Sequence, residues 1–177
     1  MDSISKKKLL ISVLGYWSAG KTSIISSYFG YHFDENIIPT RGIDCHNDTS
    51  FNKNYMFKIY DTTGGEKYRS ISRTTIVGAD GYLLVFALDF RESFEEVKYW
   101  LESIKELVDI NKKSIIIVGN KSDIDKREIS YEEAYNYANE NKLKYFETSA
   151  KSGNNIKELF NELYMDVCTK NKICIKK

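Results

Sequence analysis

Short apolar runs alternate along this chain with longer segments in which apolar residues recur every three or four positions. Continuous apolar runs are typical of strands buried on both faces, and they predict strands at 9–14, 82–88 and 114–119. The periodic segments are typical of amphipathic helices. The two clearest of these carry Phe94, Val97, Leu101, Ile104 and Val108, and then Ile156, Leu159, Phe160, Leu163 and Val167.

The remaining segments complete an alternation of strands and helices. Helices are predicted at 21–29 and 131–139, and a short polar helix is predicted after the loop that begins at Asp61. Strands are predicted at 43–51, 55–60 and 144–147, with residues 52–54 as a hairpin turn between the first two. Such alternation predicts an α/β fold whose mostly parallel sheet has helices on both faces. In folds of this kind, ligands bind at the carboxyl ends of the strands.

Composition narrows the class of protein. The 177 residues are 42% apolar, which suits one domain spanning residues 1–177. The 26 basic and 25 acidic residues nearly cancel, so we expect no nucleic-acid partner. Cys45, Cys168 and Cys174 are scattered without metal or disulfide spacing, which predicts a reducing compartment. No apolar run is long enough to cross a bilayer and no signal peptide is recognisable, so a cytoplasmic location is expected.

The loop that follows the first predicted strand has the pattern G-x-x-x-x-G-K-[ST]. It lies between an apolar strand and a helix, which is the context that this phosphate-binding motif requires. Successive backbone N–H groups and the helix N-terminus form a concave anion site there. Lys21 is expected to reach the β- and γ-phosphates, and Thr22 to give its hydroxyl to Mg²⁺. The loop residues predicted to bind phosphate are Gly15, Trp17, Ser18, Ala19, Gly20, Lys21 and Thr22.

Three further residues are candidates for the same phosphates and metal. Asp61 ends a predicted strand and is expected to hold Mg²⁺, while the N–H of Gly64 is expected to contact the γ-phosphate. On its own, an acid before glycine is equally typical of a turn. Thr40 lies in the polar stretch between the first helix and the second strand. Its hydroxyl either completes the Mg²⁺ sphere when the γ-phosphate is present, as an order–disorder switch, or belongs to an ordinary surface threonine.

Two loops near the C-terminal half are candidates for reading a guanine base. Asp123 can accept two hydrogen bonds from guanine N1–H and its amine, whereas adenine has no such donor pair on that edge, and an unpaired buried carboxylate rejects the wrong base. Asn120 is expected to brace the loop and Lys121 to lie over the base plane. Phe33 either flanks the base or packs in the core. The N–H of Ala150, in the loop with Ser149 and Lys151, is expected to donate to guanine O6.

The order of the motifs GxxxxGKT, PT, DTTGG, NKSD and TSAK resembles the Ras superfamily of small GTPases over residues 8–169. Within it, Arg-Glu-Ser-Phe at 91–94, followed by Val97, Trp100 and Ile104, resembles the Rab family, although Pro39-Thr40 is more similar to Ras or Rho proteins. The resemblance implies a Mg²⁺-dependent GTP/GDP switch with six strands, one of them antiparallel, and five helices. It also implies that exchange factors, GTPase-activating proteins and effectors bind switch I (31–44) and switch II (62–78).

Three residues depart from the family pattern around the γ-phosphate. Gly65 stands where the family has the glutamine that orients the attacking water, so no residue is assigned a catalytic role and slow hydrolysis is expected. Glu66 is a poorly placed substitute. Trp17 replaces a small residue and is expected either to crowd the γ-phosphate or to point into solvent. Thr63 replaces alanine and adds a hydroxyl nearby.

The tail, residues 170–177, also departs from the family. Cys174 is fourth from the end, as a prenylation signal requires, but lysines occupy positions that such a signal gives to other residues. A weak basic patch is expected from four lysines of the tail: Lys170, Lys172, Lys176 and Lys177. Membrane association is therefore left open, with a peripheral position on an endomembrane expected only if a lipidated tail exists.

Two other functions remain open beside a hydrolysing switch in membrane traffic. The first is a pseudo-GTPase, a nucleotide-stabilised binding scaffold with negligible turnover. The second is a P-loop ATPase or nucleotide kinase, which Asp123 and its loop disfavour. Nucleotide competition and hydrolysis rates separate the three.

Overall fold

A computed structural model describes residues 6–65 and 69–173. Within these residues, six strands form one sheet: β1 (Lys7–Gly15), β2 (Ile43–Asp48), β3 (Tyr55–Thr62), β4 (Gly81–Ala87), β5 (Ser114–Asn120) and β6 (Lys144–Thr148). Their spatial order is β2-β3-β1-β4-β5-β6. Of these six strands, only β2 runs antiparallel, paired with β3. The predicted α/β class and the mostly parallel sheet are confirmed.

The five helices of the described residues are α1 (Lys21–Tyr28), α2 (Arg69–Gly78), α3 (Arg91–Leu107), α4 (Tyr131–Glu140) and α5 (Ile156–Lys170). Helices α1 and α5 pack on one face of the sheet and contribute to one buried cluster. The other three pack on the opposite face in a second cluster. The prediction of helices on both faces is therefore confirmed. No helix of the described residues is both long and apolar enough to span a bilayer.

Strand β1 contributes side chains to the buried clusters on both faces of the sheet. Leu9, Ile11 and Val13 alternate along the strand and pack under α1 and α5, as the period of two requires. Leu14 belongs to the other cluster. Strands β4 and β5 are buried along their whole lengths, which explains their continuous apolar sequences.

Strand β2 is shorter than the sequence predicts. We expected it to run to residue 51, but it ends at Asp48, whose carboxylate accepts a hydrogen bond from the backbone N–H of Ser50 at 2.7 Å. An aspartate that binds the backbone two residues ahead makes a turn rather than a continued strand. The predicted hairpin turn at 52–54 is present, closed by the Tyr55 N–H and the Asn52 carbonyl at 3.2 Å.

Candidate functional site

A cavity of about 510 Å³ opens at the carboxyl ends of the parallel strands, where α/β folds bind their ligands. Its size is within the usual range for a small-molecule site. The structure brings thirteen of the predicted site residues to its wall: Trp17, Ser18, Gly20, Lys21, Thr22, Phe33, Thr40, Gly64, Asn120, Lys121, Asp123, Ala150 and Lys151.

Four other predicted residues lie behind the cavity wall rather than on it. Gly15 and Ala19 present carbonyl oxygens to the side chains of Lys21 and Asn120. Ser149 donates its hydroxyl to Asp123, and Asp61 accepts the hydroxyl of Thr22. The structure therefore gives these four residues contacts that support wall residues.

The backbone of the first loop turns sharply before α1. Gly20 precedes the helix with a φ of 88°, in the left-handed region that a side chain disfavours. A Cβ there would lie 2.2 Å from Asn120 Nδ2. The first residues of α1, Lys21, Thr22 and Ser23, line the cavity, and the N–H groups at the start of a helix have no partners within the helix. These groups, with the helix dipole, favour an anion.

Lys21 is the buried cation of the loop. Its amine donates to the carbonyl oxygens of Gly15 at 3.0 Å and Tyr16 at 2.8 Å. Burial lowers its pKa to about 8, against smaller upward effects of Asp61 and Glu96. An anion in the cavity would oppose this shift, because it favours the charged amine.

Three oxygen-bearing side chains meet next to Lys21. The Thr22 hydroxyl donates to Asp61 Oδ2 at 2.7 Å and lies 3.0 Å from the Thr40 hydroxyl, which is itself 3.4 Å from Asp61 Oδ2. Asp61 Oδ1 is buried without a hydrogen-bond partner among the described residues. Desolvation raises the pKa of this carboxyl above its usual range. The orphaned oxygen beside two hydroxyls fits a hard cation such as Mg²⁺.

Within the described residues, no group of three or more His, Cys, Asp or Glu side chains could hold a metal by itself.

Asn120 braces the base-reading end of the cavity. Its amide donates to the Ala19 carbonyl at 3.0 Å, across 101 residues of sequence. Its Oδ1 accepts from the Ala150 N–H at 3.2 Å and the Thr148 hydroxyl at 3.3 Å. The N–H of Ala150 that we expected to serve guanine O6 is thus engaged by Asn120 in this structure, because both loops leave neighbouring strands β5 and β6.

Asp123 and Lys121 are also held by neighbours. Asp123 Oδ1 accepts the hydroxyl of Ser149 at 2.5 Å, which orients the carboxylate on the cavity wall. The Lys121 amine lies 3.1 and 3.3 Å from the two carboxylate oxygens of Asp89. Lys121 also has a φ of 69°, a backbone strain of the kind often found at functional sites.

The segment 31–44 borders the cavity mouth and has no regular structure before β2 begins at Ile43. Phe33 lies on the wall with 41% of its surface exposed, so the alternative that it packs in the core is wrong. Glu35 pairs with Lys151 at 3.1 Å across the mouth. The segment predicted as switch II (62–78) is described only in part, since Glu66 and residues 67–68 lie outside the described residues.

Two of the three departures, Trp17 and Thr63, line the same cavity as Lys21. Thr63 is buried and lines the cavity. Trp17 lines it too but is 57% exposed. The carbonyl of Gly64 accepts the backbone N–H of Trp17 at 3.1 Å, so that N–H is not free for a phosphate in this structure. Gly65 is the next residue along the chain and has no side chain.

Sequence reasoning missed several wall residues: Ser23, Asp34, Glu35, Ile37, Thr62 and Ile124. It also missed Asp89, which stands 32 residues before its partner Lys121. Their residue types are ordinary for turns and helix starts. Only the nearness of Asp34, Glu35 and Ile37 to the candidates Phe33 and Thr40 could have drawn attention to them.

Comparison with known proteins supports the resemblance. A model of the Ras family matches residues 8–169. The chain is 37% identical to Ras-related protein Rab-3 of Caenorhabditis elegans, over 92% of this chain and 74% of that protein. It is 34% identical to Ras-related protein Rab-13 of Rattus norvegicus, over 92% and 80%. It is 31% identical to Ras-like protein rasZ of Dictyostelium discoideum, over 94% and 79%.

Proposed function

Because this chain belongs to the Ras family of small GTPases, we propose that it is a Mg²⁺-dependent GTP/GDP switch with slow intrinsic hydrolysis. The observation that carries the proposal is the single cavity wall that joins Lys21, Thr22 and Thr40 at one end to Asn120 and Asp123 at the other. Such a wall suits a ligand with a phosphate chain and a base.

The phosphate end is proposed to bind through backbone N–H groups of residues 18–22 and the amine of Lys21, and the N–H of Trp17 would join them once it leaves the Gly64 carbonyl. Support comes from the burial of that amine among carbonyl oxygens rather than carboxylates. An anionic ligand would add negative charge beside the amine and favour its charged form. Gly64 lies on the cavity wall, and its N–H is proposed to contact the γ-phosphate.

Thr22, Thr40 and Asp61 are proposed to hold Mg²⁺, with Asp61 acting directly or through water. The unpartnered Oδ1 of Asp61 supports this assignment. When bound, Mg²⁺ neutralises charge on the β- and γ-phosphates. Thr40 belongs to the irregular segment 31–44, so its contact with the metal would couple that segment to the nucleotide state.

The base end is proposed to select guanine. Asp123 would accept from guanine N1–H and its amine, while Ser149 and Asn120 hold the loops in place. Phe33, Lys121 and Lys151 would border the base. Rejection of adenine would follow from the unpaired carboxylate that it leaves.

Slow hydrolysis is proposed because Gly65 has no side chain to orient the attacking water. A positioned polar group contributes on the order of 10²- to 10⁴-fold to such a step. The exposed indole of Trp17 on the cavity wall stands in the approach of any group that a partner would insert. A GTPase-activating protein that supplies both an arginine and a glutamine would overcome the deficit.

Two measurements on the purified full chain test this function. The first identifies the nucleotide that copurifies with it, and guanine nucleotide is expected. The second follows single-turnover hydrolysis of bound GTP, which we expect to be slow. A rate equal to that of glutamine-bearing relatives would contradict slow hydrolysis, and a copurifying adenine nucleotide would contradict the switch.

Restoring the missing amide gives a sharper test. Gly65→Gln, made alone and with Trp17→Gly, is expected to speed hydrolysis at least about tenfold, because the amide can orient water. Gly65→Asn is the matched control, since it carries the same amide on a shorter side chain. Equal rates for glutamine and asparagine would show that water positioning is not what this site lacks.

A second candidate, a pseudo-GTPase scaffold with negligible turnover, is favoured by the combination of Trp17 and Gly65. It predicts that Gly65→Gln leaves hydrolysis undetectable while guanine nucleotide remains bound. Under either candidate, we propose that exchange factors and effectors contact segments 31–44 and 62–78. The likeness to Rab proteins supports a role in membrane traffic.

A further inference from the structure

Trp17 places an aromatic side chain at the phosphate end of the cavity. It lines the wall together with Lys21, whose amine donates to the carbonyl of Tyr16, the preceding residue, at 2.8 Å. Trp17 is 57% exposed, whereas Trp100, the other tryptophan of the chain, is buried. Tryptophan is enriched at binding surfaces, because its ring offers a large contact area. The contacts proposed for the phosphates use the backbone of Trp17 and leave its ring without a role.

Two further rings pack against the indole in a row. The ring of Tyr16 lies 5.9 Å from that of Trp17 at an interplanar angle of 38°, and the ring of Phe90 lies 5.3 Å from that of Tyr16. Tyr16 also packs against the buried cluster under α1 and α5, and Phe90 directly precedes α3. This support restricts the rotamers of the indole, so ordering it costs little when a ligand binds.

The base end of the same cavity has an aromatic ring of its own. Phe33 lines the wall and is partly exposed, and the amine of Lys151 lies 5.9 Å from the centroid of its ring. The wall thus carries an aromatic side chain at each end, and the buried cation Lys21 lies at the end of Trp17. A ligand with an aromatic base at each end of a phosphate chain would match this arrangement.

We propose that the cavity also binds dinucleoside polyphosphates, in which a phosphate chain joins guanosine to a second nucleoside, and that Trp17 stacks on the second base. This inference rests on the proposed function, because the guanosine and the phosphates are taken to lie as described there. The second nucleoside would continue from the terminal phosphate onto the indole. Stacking on an aromatic side chain accepts any base, since every base has a π-face, and it contributes about 5- to 150-fold in affinity.

The exposure of Trp17 suits the length of such a ligand. The cavity of about 510 Å³ has the size of a site for one small molecule. A second nucleoside would therefore lie at the mouth, where much of the indole is exposed. Tyr31 is more exposed than Trp17 but does not line the cavity. Among the described residues, Trp17 is thus the ring that a ligand extending from the phosphates would meet.

The test compares two ligands on the nucleotide-stripped full chain with Mg²⁺. One is adenosine 5′-tetraphospho-5′-guanosine, and the other is guanosine 5′-tetraphosphate with a methyl ester on its last phosphate. The two carry the same phosphates and the same charge, so they differ only in the second nucleoside. We expect the dinucleoside to bind at least about fivefold tighter and to quench the fluorescence of Trp17, while the buried Trp100 contributes a constant background.

Variants assign the preference to the indole. Trp17→Ser is expected to make the two affinities equal and to abolish the quenching, and Trp17→Phe, which keeps a smaller ring, is expected to retain part of the preference. The ratio of affinities is taken within each protein, so that any effect of the substitution on phosphate binding cancels. The matched control is Tyr131→Ser, which removes an exposed ring of α4 outside the cavity wall and is expected to leave the ratio unchanged.

Three results would overturn the inference. The first is equal affinity of the wild type for the two ligands, and the second is a preference that survives in Trp17→Ser. The third is a loss in Tyr131→Ser as large as that in Trp17→Ser. GDP separates this failure from failure of the switch. A chain that binds GDP but does not prefer the dinucleoside contradicts the inference alone, whereas a chain that binds no guanine nucleotide contradicts the proposed function as well.

Discussion

The amine of Lys21 is buried, and the oxygens that accept its hydrogen bonds are backbone carbonyls. Burial lowers its pKa from 10.5 to about 8, so between these two pH values the unfolded chain binds more protons than the folded one. Stability therefore rises with pH across this window. We expect the nucleotide-free protein to gain about 2 kcal/mol of unfolding free energy from this residue between pH 8 and 10, measured by urea denaturation.

Lys21→Met is the reference for this prediction, because it removes the titrating group and leaves all others in place. As pH rises, the free energy of unfolding of the wild type should increase relative to that of Lys21→Met. Saturating guanine nucleotide should flatten the pH dependence, since phosphate keeps the amine charged. A wild type and variant with parallel pH profiles would show that the amine is not desolvated.

Gly64 is required where its loop passes the phosphate loop. A Cβ at this position would lie 2.1 Å from the backbone nitrogen of Trp17 and 2.3 Å from the carbonyl carbon of Tyr16. We expect Gly64→Ala to break the hydrogen bond between Gly64 and Trp17 and to cost about 1–3 kcal/mol, as overpacking does. The urea midpoint measures the loss.

Gly78→Ala is the matched substitution for Gly64→Ala. Gly78 ends helix α2, and a Cβ there has no neighbour nearer than 3.6 Å. Alanine also favours helix over glycine by up to about 1 kcal/mol, so stability should stay equal or rise. If Gly64→Ala also left the urea midpoint unchanged, the inferred close approach of the two loops would be contradicted.

At the scale of elements, α1, the β2–β3 hairpin and α5 are joined through one carboxylate and several rings. Asp48 is buried at the end of β2 and accepts the Tyr28 hydroxyl at 2.6 Å and the Ser50 N–H at 2.7 Å. Tyr28 stacks on Phe160 of α5 with ring centroids 4.0 Å apart. Burial pushes the pKa of Asp48 upward, but the hydrogen bonds outweigh burial and leave it below its usual range.

Tyr28→Phe therefore tests the link between these elements. We expect a loss of about 1–3 kcal/mol at neutral pH, because one oxygen of a buried carboxylate loses its donor. The depressed pKa means that the contribution is present above about pH 4 and is lost as pH falls through the folded value. Tyr55→Phe removes the same atom from a half-buried ring with no hydrogen bond to the described residues, and it should change stability little. Similar losses in the two variants would contradict a role for Asp48.

At the scale of the whole molecule, ligand binding should appear as stability. A ligand at about 1,000 times its Kd stabilises the native state by about 4 kcal/mol. For a chain of 177 residues that is a rise in Tm of roughly 8–16 °C. We expect this shift with GDP and Mg²⁺, a smaller one when EDTA is present, and none with ATP, measured by thermal unfolding of nucleotide-stripped protein.

Asp123→Asn should abolish most of the shift with GDP, since the amide cannot accept both guanine donors. Asp125→Asn is the control, two residues away and outside the cavity wall, and should keep the full shift. A shift with ATP as large as that with GDP would remove the basis for guanine selection.

The sequence alone was sufficient for the order of elements, because continuous apolar runs and helical periodicity report burial directly. The runs at 82–88 and 114–119 predicted β4 and β5 to within a residue or so. The sequence-based prediction was wrong about the end of β2. The predicted strand ran from 43 to 51, but the side chain of Asp48 turns the backbone and β2 ends there. A local hydrogen bond outweighed strand propensity there.

The motifs also located most of the cavity wall, because phosphate and base loops need particular residues in a particular order. The motifs did not decide which of these residues contact one another. Three contacts join segments that are far apart in sequence. Asn120 accepts the N–H of Ala150, Asp89 pairs with Lys121, and the Gly64 carbonyl accepts the N–H of Trp17.

Sequence by itself therefore determined which elements form and which chemistry lies at their ends, since both follow from residue types at short spacing. Only the tertiary structure decided which of those groups have hydrogen-bond partners and which, like Asp61 Oδ1, have none among the described residues. The reason is physical. Hydrogen bonds and charge compensation are properties of neighbours in space, and a parallel sheet brings together the ends of segments that are distant along the chain.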